Sequence, residues 1–418
     1  IYYGWVSLWG VESLVYWKWL VIVCTYAVLQ QVLSRICGSQ LAGLVCAGVA
    51  AAIAAPFLDV RPHLYSLLMF SLLLYLLLGR RPRTVVLALV FLVWVNLHGG
   101  FFFGLMALAV LLFPWRDFSL ADFRGALLVG MICLLVCVLN PSGVGAFLYP
   151  LKYAFDDSSP FRQLGEWLSP FQSGGIRSPL FFTFMWAPLA GLLYLLPQVR
   201  KGVGVPWEGI ALTALTLAMS LTSRRFIPLF GMSLAVLLAP LLGYALQKLR
   251  LHCFDLVFGA VALVFAVYRM LPYPLTAGPA FHYLVGEYSY PVDTLNFVVA
   301  NRLQGKVYAV YNWGGYIHWR TDGDLKVFID GRADTIYDDA TYNHYVNVLS
   351  NRPGWLPSIE RSGADYILWS YMQKGGQQKL KELLATGRWK PIYRDSVSWL
   401  LAGPSVTLPG ERVNSPET

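Results

Sequence analysis

Charged side chains are scarce in this chain. They make up 13% of its 418 residues, against 57% hydrophobic residues, whereas a soluble domain carries about 25% charged residues. The mean hydropathy of +0.54 excludes an ordinary soluble protein and predicts a polytopic membrane protein. The polar part of the chain has no basic stripe with interleaved aromatic residues, so we expect no nucleic-acid partner.

Cysteine is absent from the C-terminal part of the chain. The six cysteines all lie before residue 272: Cys24, Cys37, Cys46, Cys133, Cys137 and Cys253. A disulfide framework is therefore excluded for the C-terminal part. Cys133 and Cys137 share one helix face, as a metal pair would, but small apolar residues in a buried helix are the commoner meaning of such a pair.

Signatures of common soluble enzymes are also absent. The chain has no phosphate-binding Walker loop, no HExxH helix, no nucleophile elbow and no paired cysteines with zinc spacing. Asp322-Gly323-Asp324 superficially resembles a calcium loop but lacks the downstream ligands. Any chemistry must therefore come from motifs that belong to membrane proteins.

Long apolar runs fill residues 1–271 and predict a transmembrane helical bundle, followed by an extracytoplasmic α/β domain over residues 272–418. One span needs about 20 mostly apolar residues, or fewer inside a bundle, which gives about ten spans. They are Trp19–Leu33, Leu41–Phe57, Leu64–Leu78, Thr84–Leu97, Phe101–Phe113, Gly125–Leu139, Leu180–Leu196, Gly209–Leu221, Phe226–Leu246 and Cys253–Leu271. The chain begins within an aromatic apolar run, so we expect one or more helices to precede Ile1.

Basic residues stand in alternate connections between these runs, and the positive-inside rule predicts that those connections are cytoplasmic. They are Arg35; Arg80, Arg81 and Arg83; Arg116 and Arg124; Arg200 and Lys201; Lys248 and Arg250. The opposite face then carries the C-terminal domain and most of the unusual polar residues: Asp59, Arg61, His63, Asn96, His98, Asp156, Asp157, Glu166, Arg224 and Arg225. Interface anchoring explains any single one, but their collection on one face predicts a shared cleft.

Two connections on that face have compositions suited to a site. Trp94 to Phe101 joins two short runs with almost no loop, and its glycines allow a tight reversal or a close ligand approach. His98 within it can donate or accept a proton, although a structural turn with a satisfied histidine is the alternative. The long connection from Asn140 to Pro179 is amphipathic and is expected to lie along the membrane surface.

Strands alternate with helices in the C-terminal part, which predicts a small α/β domain. The expected strands are Val307–Val310, Lys326–Ile329, Tyr366–Trp369, Pro391–Arg394 and Ser396–Ala402. The expected helices are Val292–Arg302, Asp339–Leu349, Trp355–Arg361 and Gln377–Leu384. The polar tail after Gly403 is expected to fray.

The first two of these strands end in candidate ligand-binding residues. Val307–Val310 runs into Asn312, Trp313, two glycines and Tyr316, and helix N-terminal amides at such a point bind anions. The second strand leads to Asp330 and Arg332, at the same strand-end edge. In the alternative interpretation, Asp330 and Arg332 only pair with each other and hold their loop.

Several motifs together resemble the GT-C superfamily of integral-membrane glycosyltransferases, in particular its bacterial members. They are Arg61-Pro62-His63, Trp94 to Phe101, Asn140-Pro141 with Tyr149-Pro150, Glu166-Trp167-Leu168-Ser169-Pro170, Arg224-Arg225-Phe226 and the region from Asn312 to Asp334. The resemblance implies transfer of a sugar from a polyprenyl-phosphate-linked donor to an acceptor at the extracytoplasmic face of a bacterial inner membrane.

The resemblance also implies roles for particular residues. Asp59, Glu166 and His98 would be catalytic, and Asp156 and Asp157 would bind a divalent metal ion, Mg²⁺ or Mn²⁺. Donor and acceptor would contact Arg61, His63, Asn96, Arg224, Arg225, Asn312, Trp313, Tyr316, Asp330 and Arg332. Arginine suits the donor because its guanidinium forms bidentate contacts with phosphate.

The sequence departs from the superfamily in two places. Tyr311-Asn312-Trp313-Gly314-Gly315-Tyr316 is similar to the Trp-Trp-Asp-Tyr-Gly motif of oligosaccharyltransferase catalytic subunits, but it lacks the aspartate, so the acceptor stays open. The carboxylate that such enzymes carry in their first outer loop would precede Ile1. Two alternatives therefore stand beside the enzyme: a non-catalytic membrane transporter or scaffold, and a polymerase or ligase of surface polysaccharide.

Overall fold

The computed structural model describes residues 1–80, 83–148, 165–173, 176–199, 204–248, 289–332, 336–372 and 375–406, together with residues 257, 259–261, 264 and 268. The chain divides into two units: Ile1–Asp157 with Arg162–Ala277, and Ser158–Phe161 with Gly278–Thr418. The predicted domain boundary between residues 271 and 272 lies outside the described residues and stays a prediction.

The first unit is helical throughout its described part. Its helices are α1 Tyr2–Trp9, α2 Leu14–Cys37, α3 Gln40–Ala54, α4 His63–Leu77, α5 Thr84–Leu97, α6 Phe101–Leu112, α7 Leu120–Val136, α8 Pro179–Phe184, α9 Ala187–Val199, α10 Trp207–Thr222 and α11 Ile227–Lys248. Helices therefore occur at each predicted apolar run; in Cys253–Leu271 only residues 257, 259–261, 264 and 268 are described, and these are helical.

Four helical segments among the described residues are long and apolar enough to cross a membrane: Val11–Cys37, Gln40–Phe57, Pro179–Pro197 and Arg224–Lys248. Helices α4, α5, α6 and α10 are apolar but shorter. The prediction of about ten spans is therefore not confirmed as a count, since a span outside a bundle needs about 20 residues.

Helix α11 lies at the centre of this unit and is buried along most of its length. Glycines on α11 let neighbouring helices approach closely. A Cβ added at Gly243 would lie 2.7 Å from the carbonyl oxygen of Cys37, and one at Gly231 would lie 3.1 Å from that of Ala50. Small residues commonly allow such close packing of apolar helices. The packing fixes the start of α11, and Arg224 and Arg225 stand in the short turn just before it.

The second unit contains a five-stranded sheet in the order β2-β1-β3-β5-β4. The strands are β1 Gly305–Ala309, β2 Leu325–Val327, β3 Tyr366–Ser370, β4 Lys390–Arg394 and β5 Ser398–Ala402. β1 pairs in parallel with β2 and β3, whereas β5 pairs antiparallel with β3 and β4. The described helices are α12 Val292–Ala300, α13 Gly314–Arg320, α14 Asp339–Leu349, α15 Trp355–Arg361 and α16 Gly376–Ala385.

The predicted small α/β domain is confirmed by this mixed sheet. Each predicted strand is present, and burial is most complete in β3, whose five residues are all buried. The sheet is mixed rather than wholly parallel since β4 and β5 form a hairpin at one edge. Short connections of this kind join antiparallel strands, whereas parallel strands need a crossover.

Candidate functional site

Arg224, in the turn just before α11, holds the segment formed by residues 165–173 in place. Arg224 is buried, with 1% of its surface exposed. Its backbone N–H donates to the carbonyl of Leu168 at 3.1 Å, its Nε donates to that of Ser169 at 3.1 Å, and its Nη2 donates to that of Gln172. Three carbonyls held by one residue fix the conformation of this segment, because a guanidinium presents its donors in a rigid fork.

The next residue, Arg225, faces differently. Its backbone N–H donates to the carbonyl of Glu166 at 3.1 Å, and its guanidinium lies 4.7 Å from the ring centre of Trp167. Ser223 Oγ donates to the same Glu166 carbonyl at 3.0 Å. Within the described part of the chain, no carboxylate pairs with Arg225. Its charge is therefore held in place by an aromatic face and stays available to a ligand.

The side chain of Glu166 reaches across to the connection after α3. Its carboxylate pairs with Arg61 at 3.0 Å, and the two side chains are 34% and 53% exposed. The Asp59 side chain is exposed nearby, and Lys18, buried in α2, is close enough to interact electrostatically with it. An exposed ion pair of this kind contributes only about 0–1 kcal/mol to stability, so it can open without unfolding the unit.

The two predicted histidines occupy different positions. His63 opens α4, and its Nε2 lies 2.6 Å from the carbonyl of Phe57, to which it donates. The His98 Nδ1 lies 2.8 Å from Ser66 Oγ and 3.1 Å from the backbone N–H of Gly100. Ser66 in turn accepts a hydrogen bond from Trp94 Nε1 at 2.9 Å. The His98 ring is thus fixed by hydrogen bonds to α4 and to its own turn.

His98 stays uncharged at neutral pH. Burial lowers the pKa of His98 to about 3, and the charges of Arg225 and His63 act in the same direction. The Arg225 guanidinium is the nearest of these, with Nη2 lying 3.5 Å from His98 Nε2. A second positive charge at that separation is unfavourable, which adds to the larger effect of burial in favouring the neutral imidazole.

The structure thus brings six of the predicted residues into one corner of the helical unit: Asp59, Arg61, His63, His98, Glu166 and Arg225. Arg224 supports that corner from beneath the 165–173 segment. Asn96 is at the end of α5, where its amide donates to the carbonyls of Leu92 at 2.9 Å and Leu139 at 3.1 Å. The catalytic and binding roles of all these residues stay predictions.

The predicted metal ligands Asp156 and Asp157 lie outside the described residues. In the part of the chain that the structure describes, no group of three or more His, Cys, Asp or Glu side chains is arranged so that it could hold a metal ion. Asp59 and Glu166 alone do not make a complete ligand set for Mg²⁺, which favours octahedral oxygen coordination. Metal dependence stays a prediction.

The remaining predicted residues form a group within the second unit. Trp313 is buried and donates from Nε1 to the carbonyl of Ser289 at 2.8 Å. The Tyr316 ring lies 5.2 Å from that of Tyr290, and Asn312 is exposed. The segment that follows β2 packs closely against the start of α13. A Cβ added at Gly314 would lie only 2.5 Å from Asp330 Cβ.

Asp330 and Arg332 pair with each other, as the alternative interpretation expected. Arg332 donates to the Asp330 carboxylate from its backbone N–H at 3.0 Å, from Nε at 2.9 and 3.0 Å, and from Nη2 at 2.6 Å. Burial by itself would raise the pKa of Asp330, but these hydrogen bonds outweigh it and the pKa lies below its usual value. The pair closes its own loop, and a ligand role for either residue stays a prediction.

Two residues of the corner were missed from the sequence. Ser66 holds the His98 ring, and Trp167 carries the Arg225 guanidinium. Ser66 stands three positions after His63 on a helix, and side chains three apart share a helix face. That spacing was the signal available for Ser66. Trp167 was part of a noted motif, but its partner lies in a distant segment of the chain.

No protein-family model matches this chain, and neither does any curated protein. Solved structures of an oligosaccharyltransferase from Archaeoglobus fulgidus do resemble it. AglB in complex with an inhibitory peptide and a dolichol-phosphate is 13% identical, with a TM-score of 0.52 over 93% of this chain and 62% of that chain. The same enzyme tethered to an acceptor peptide with an NVT sequon by a disulfide is 12% identical, with a TM-score of 0.48 and the same coverage.

This chain spans 62% of the length of the archaeal structure that it matches. At 13% identity, the likeness concerns the arrangement of the backbone and leaves the chemistry open. The resemblance inferred from the sequence motifs is confirmed at this level. Over 93% of its residues, the chain shares its backbone fold with the archaeal oligosaccharyltransferase AglB.

Proposed function

We propose that this chain is a membrane glycosyltransferase that transfers a sugar from a polyprenyl-phosphate-linked donor to an acceptor. The observation that carries the proposal is the corner where Arg61, Glu166, His98 and Arg225 meet. In it, an arginine without a carboxylate partner among the described residues lies beside ionisable groups. Electrostatic stabilisation of a leaving group is often the largest contribution to such catalysis.

Transfer breaks the bond between the sugar C1 and a phosphate oxygen while the acceptor forms a new bond to C1. The leaving phosphate gains negative charge, which the Arg225 guanidinium stabilises. Arg61 adds a second guanidinium when its exposed pair with Glu166 opens. The exposed Asp59 carboxylate is the candidate base that takes the proton of the acceptor, since a positioned carboxylate can act in this way.

The donor class is supported by the shared fold, because the matched AglB structure contains a dolichol-phosphate. The basic connections support placing the site and the second unit on the extracytoplasmic face of a bacterial inner membrane. The acceptor stays open, because the segment from Asn312 to Tyr316 lacks the aspartate of the motif that it resembles.

The test is transfer of radiolabelled sugar from polyprenyl-phosphate donors in membranes that contain the chain. We expect Asp59→Asn and Arg225→Gln each to lower the transfer rate by about 100-fold, the size typical of losing one stabilising donor or a positioned base. Asp339→Asn serves as the matched control, because Asp339 is an exposed carboxylate in the other unit. We expect it to transfer like the wild type.

Two outcomes contradict the proposal in different ways. Membranes with the wild-type chain that transfer no sugar from any donor of the series would exclude the activity. Wild-type rates in both site variants would leave the activity intact but exclude this corner as its site.

A polysaccharide polymerase or ligase is the second candidate. The histidines and arginines that gather in the corner favour it, because such an enzyme joins lipid-linked sugars without requiring a carboxylate metal site. Transfer to a polysaccharide acceptor that continues undiminished in excess chelator supports this candidate. Activity restored only by Mg²⁺ or Mn²⁺ contradicts it.

A further inference from the structure

The hydrogen bonds of His98 determine which of its ring nitrogens carries the proton. Nδ1 faces the backbone N–H of Gly100 at 3.1 Å, and a backbone N–H can only donate. Nδ1 must therefore be the acceptor and carry no proton. Ser66 Oγ, 2.8 Å from the same nitrogen, already accepts from Trp94 Nε1, which leaves its own hydroxyl proton for His98.

The opposite ring orientation is excluded by the same partners. A flipped imidazole would place a carbon-bound hydrogen against both the Gly100 N–H and the Ser66 hydroxyl, and neither bond would form. Because the ring is neutral, the remaining proton is on Nε2. Neutral His98 is therefore a hydrogen-bond donor at Nε2 and cannot accept a proton there.

Nε2 lies 3.5 Å from Arg225 Nη2, the outer limit of a hydrogen bond, and an arginine can only donate; because Nδ1 is the nitrogen that accepts, from the closer Gly100 N–H at 3.1 Å, no hydrogen bond joins Nε2 to Arg225. Two N–H groups cannot bond each other, but two donors at this separation can both bond a single oxygen placed between them. We propose that His98 Nε2 and the Arg225 guanidinium together bind one oxygen of a phosphate group. The Arg225 charge favours an anionic oxygen, and a charge-assisted hydrogen bond is about twice as strong as a neutral one.

Packing holds both donors in place. A Cβ on Gly100 would lie 2.8 Å from Ser66 Cβ, so only glycine allows the Ser66 hydroxyl to reach His98. The Trp94 ring that donates to Ser66 is fully buried against Gly104, where an added Cβ would lie 2.5 Å from a ring carbon. Arg225 is held by the Trp167 ring at 4.7 Å. Donors held in advance bind an anion without first losing side-chain freedom.

This phosphate site deepens the proposed function. Only the identification of the phosphate as part of the sugar donor rests on that function. It changes the role of His98 from candidate base to phosphate-binding donor. The phosphate can belong to a lipid headgroup or to a free phosphate, because both present the same oxygen chemistry. Binding itself does not depend on transfer and is measured without it.

The first measurement is the nitrogen NMR spectrum of the full chain with ¹⁵N-labelled histidine, in lipid nanodiscs. The His98 signals are assigned by their loss in His98→Gln. We expect Nε2 to be protonated and Nδ1 not, without change between pH 8 and pH 5. A proton on Nδ1, or titration of His98 in that range, overturns the proposal. The protonation state is read from the wild-type chain, so this result does not depend on the folding of a binding variant.

The second measurement is the change in the His98 Nε2 signal on adding phosphate. One series uses inorganic pyrophosphate in solution, and the other uses polyprenyl phosphate in the nanodisc. A response to the lipid alone assigns the site to a lipid headgroup, and a response to both assigns it to phosphate in general. No response in either series overturns the proposal, whether or not the chain transfers sugar.

Variants separate the two donors. We expect Arg225→Gln to weaken phosphate binding by about 10- to 100-fold, because a hydrogen bond to a charged group contributes about 1.5–3 kcal/mol. His98→Ala is expected to weaken it by about 10-fold, whereas His98→Gln, which keeps a donor, stays closer to the wild type. Arg352→Gln removes an exposed arginine of the other unit as the control for charge. Equal affinity in all four variants contradicts the assignment.

Discussion

Gly99-Gly100 in the first unit and Gly314-Gly315 in the second each stand at the start of a helix, and in both pairs one glycine is sterically required while its neighbour is not. Gly100 and Gly314 are the required members, and Gly99 and Gly315 have nothing within 4 Å of an added Cβ. The required glycines serve different ends. Gly100 makes room for hydrogen bonds that orient His98, whereas Gly314 lets a helix pack on the end of a strand.

The difference lies in what surrounds each contact. At Gly314 the neighbouring Asp330 is buried and closed by Arg332, so its polar atoms are satisfied within the loop. At Gly100 the oriented His98 has its Nε2 3.5 Å from Arg225 Nη2, and these two groups are the proposed phosphate donors. The same sequence signal therefore marks a closed packing contact in one unit and the proposed phosphate-binding corner in the other.

Substitution of Gly314 should have the largest effect. Gly314→Ala places a methyl group 2.7 Å from the Ile329 carbonyl oxygen and 2.9 Å from Asp330 Cα, and backbone atoms cannot move aside cheaply. We expect it to destabilise the second unit by about 3 kcal/mol, at the upper end for overpacking. Hydrogen exchange of the β1 and β3 amides in the full chain measures this free energy.

Gly315→Ala is the matched control for that change. Its methyl group meets open space on α13, and alanine is favoured over glycine in a helix by about 0.5–1 kcal/mol. We expect slower exchange of the same amides. Equal effects of the two substitutions on the exchange rates would contradict the prediction that the close contact at Gly314 causes the destabilisation.

The second prediction concerns the open corner. Gly100→Ala displaces Ser66 from His98, so the ring loses its orientation and we expect phosphate binding to weaken by about 10-fold, the size of one hydrogen bond to a charged group. Gly99→Ala is expected to bind within about 2-fold of the wild type, as exposed substitutions generally do. Titration of polyprenyl phosphate into nanodiscs measures both. A reversed order of the two variants would break the comparison between the dipeptides.

The third prediction is a pH dependence in the second unit. Lys379 is 1% exposed, donates from Nζ to the Val348 carbonyl and Asn351 Oδ1, and lies 4.3 Å from the ring centre of Trp355. Burial lowers the pKa of Lys379 to about 8 from its ordinary 10.5, against a smaller opposing effect of Glu382. Lys379 in the second unit therefore loses its proton more readily in the folded chain than in the unfolded chain.

The sign follows from proton binding. Between pH 8 and the unfolded pKa of 10.5, the unfolded chain holds the Lys379 proton more often than the folded chain does. The free energy of unfolding therefore rises with pH in this window, by at most about 1.4 kcal/mol per pH unit. Pulse proteolysis in urea between pH 7.5 and 9.5 measures it. Lys379→Met should remove the rise, and a rise that persists in the variant contradicts its assignment to Lys379.

The elements of the second unit could be predicted from the sequence because short apolar runs there alternate with amphipathic ones. The strand Tyr366–Ser370 is apolar along its length and is buried along its length. The number of membrane spans could not be settled in the same way. Helices such as Thr84–Leu97 are apolar but shorter than a free span, and their depth depends on neighbouring helices rather than on their own sequence.

The residues of the candidate site could be collected from the sequence, but their contacts could not be assigned. Positions 224 and 225 are both arginine, yet Arg224 is buried under the 165–173 segment and Arg225 lies on the Trp167 ring. Only the turn before α11 decides which arginine faces which way. The pairing of Arg61 with Glu166 likewise joins segments far apart in the chain, and no local pattern specifies such a contact.

The hydrogen bonds of His98 also imply an order of events while the protein is being made. Ser66, Trp94, Gly100 and Gly104 all belong to α4, α5, α6 and their connections, which leave the ribosome before the 165–173 segment and Arg225. Chains generally fold from the N-terminus during synthesis. A nascent chain therefore acquires an oriented, uncharged imidazole first and the cation beside it only later. Phosphate binding is thus a late event in biogenesis, so an unfinished chain would not hold a phosphate-linked lipid.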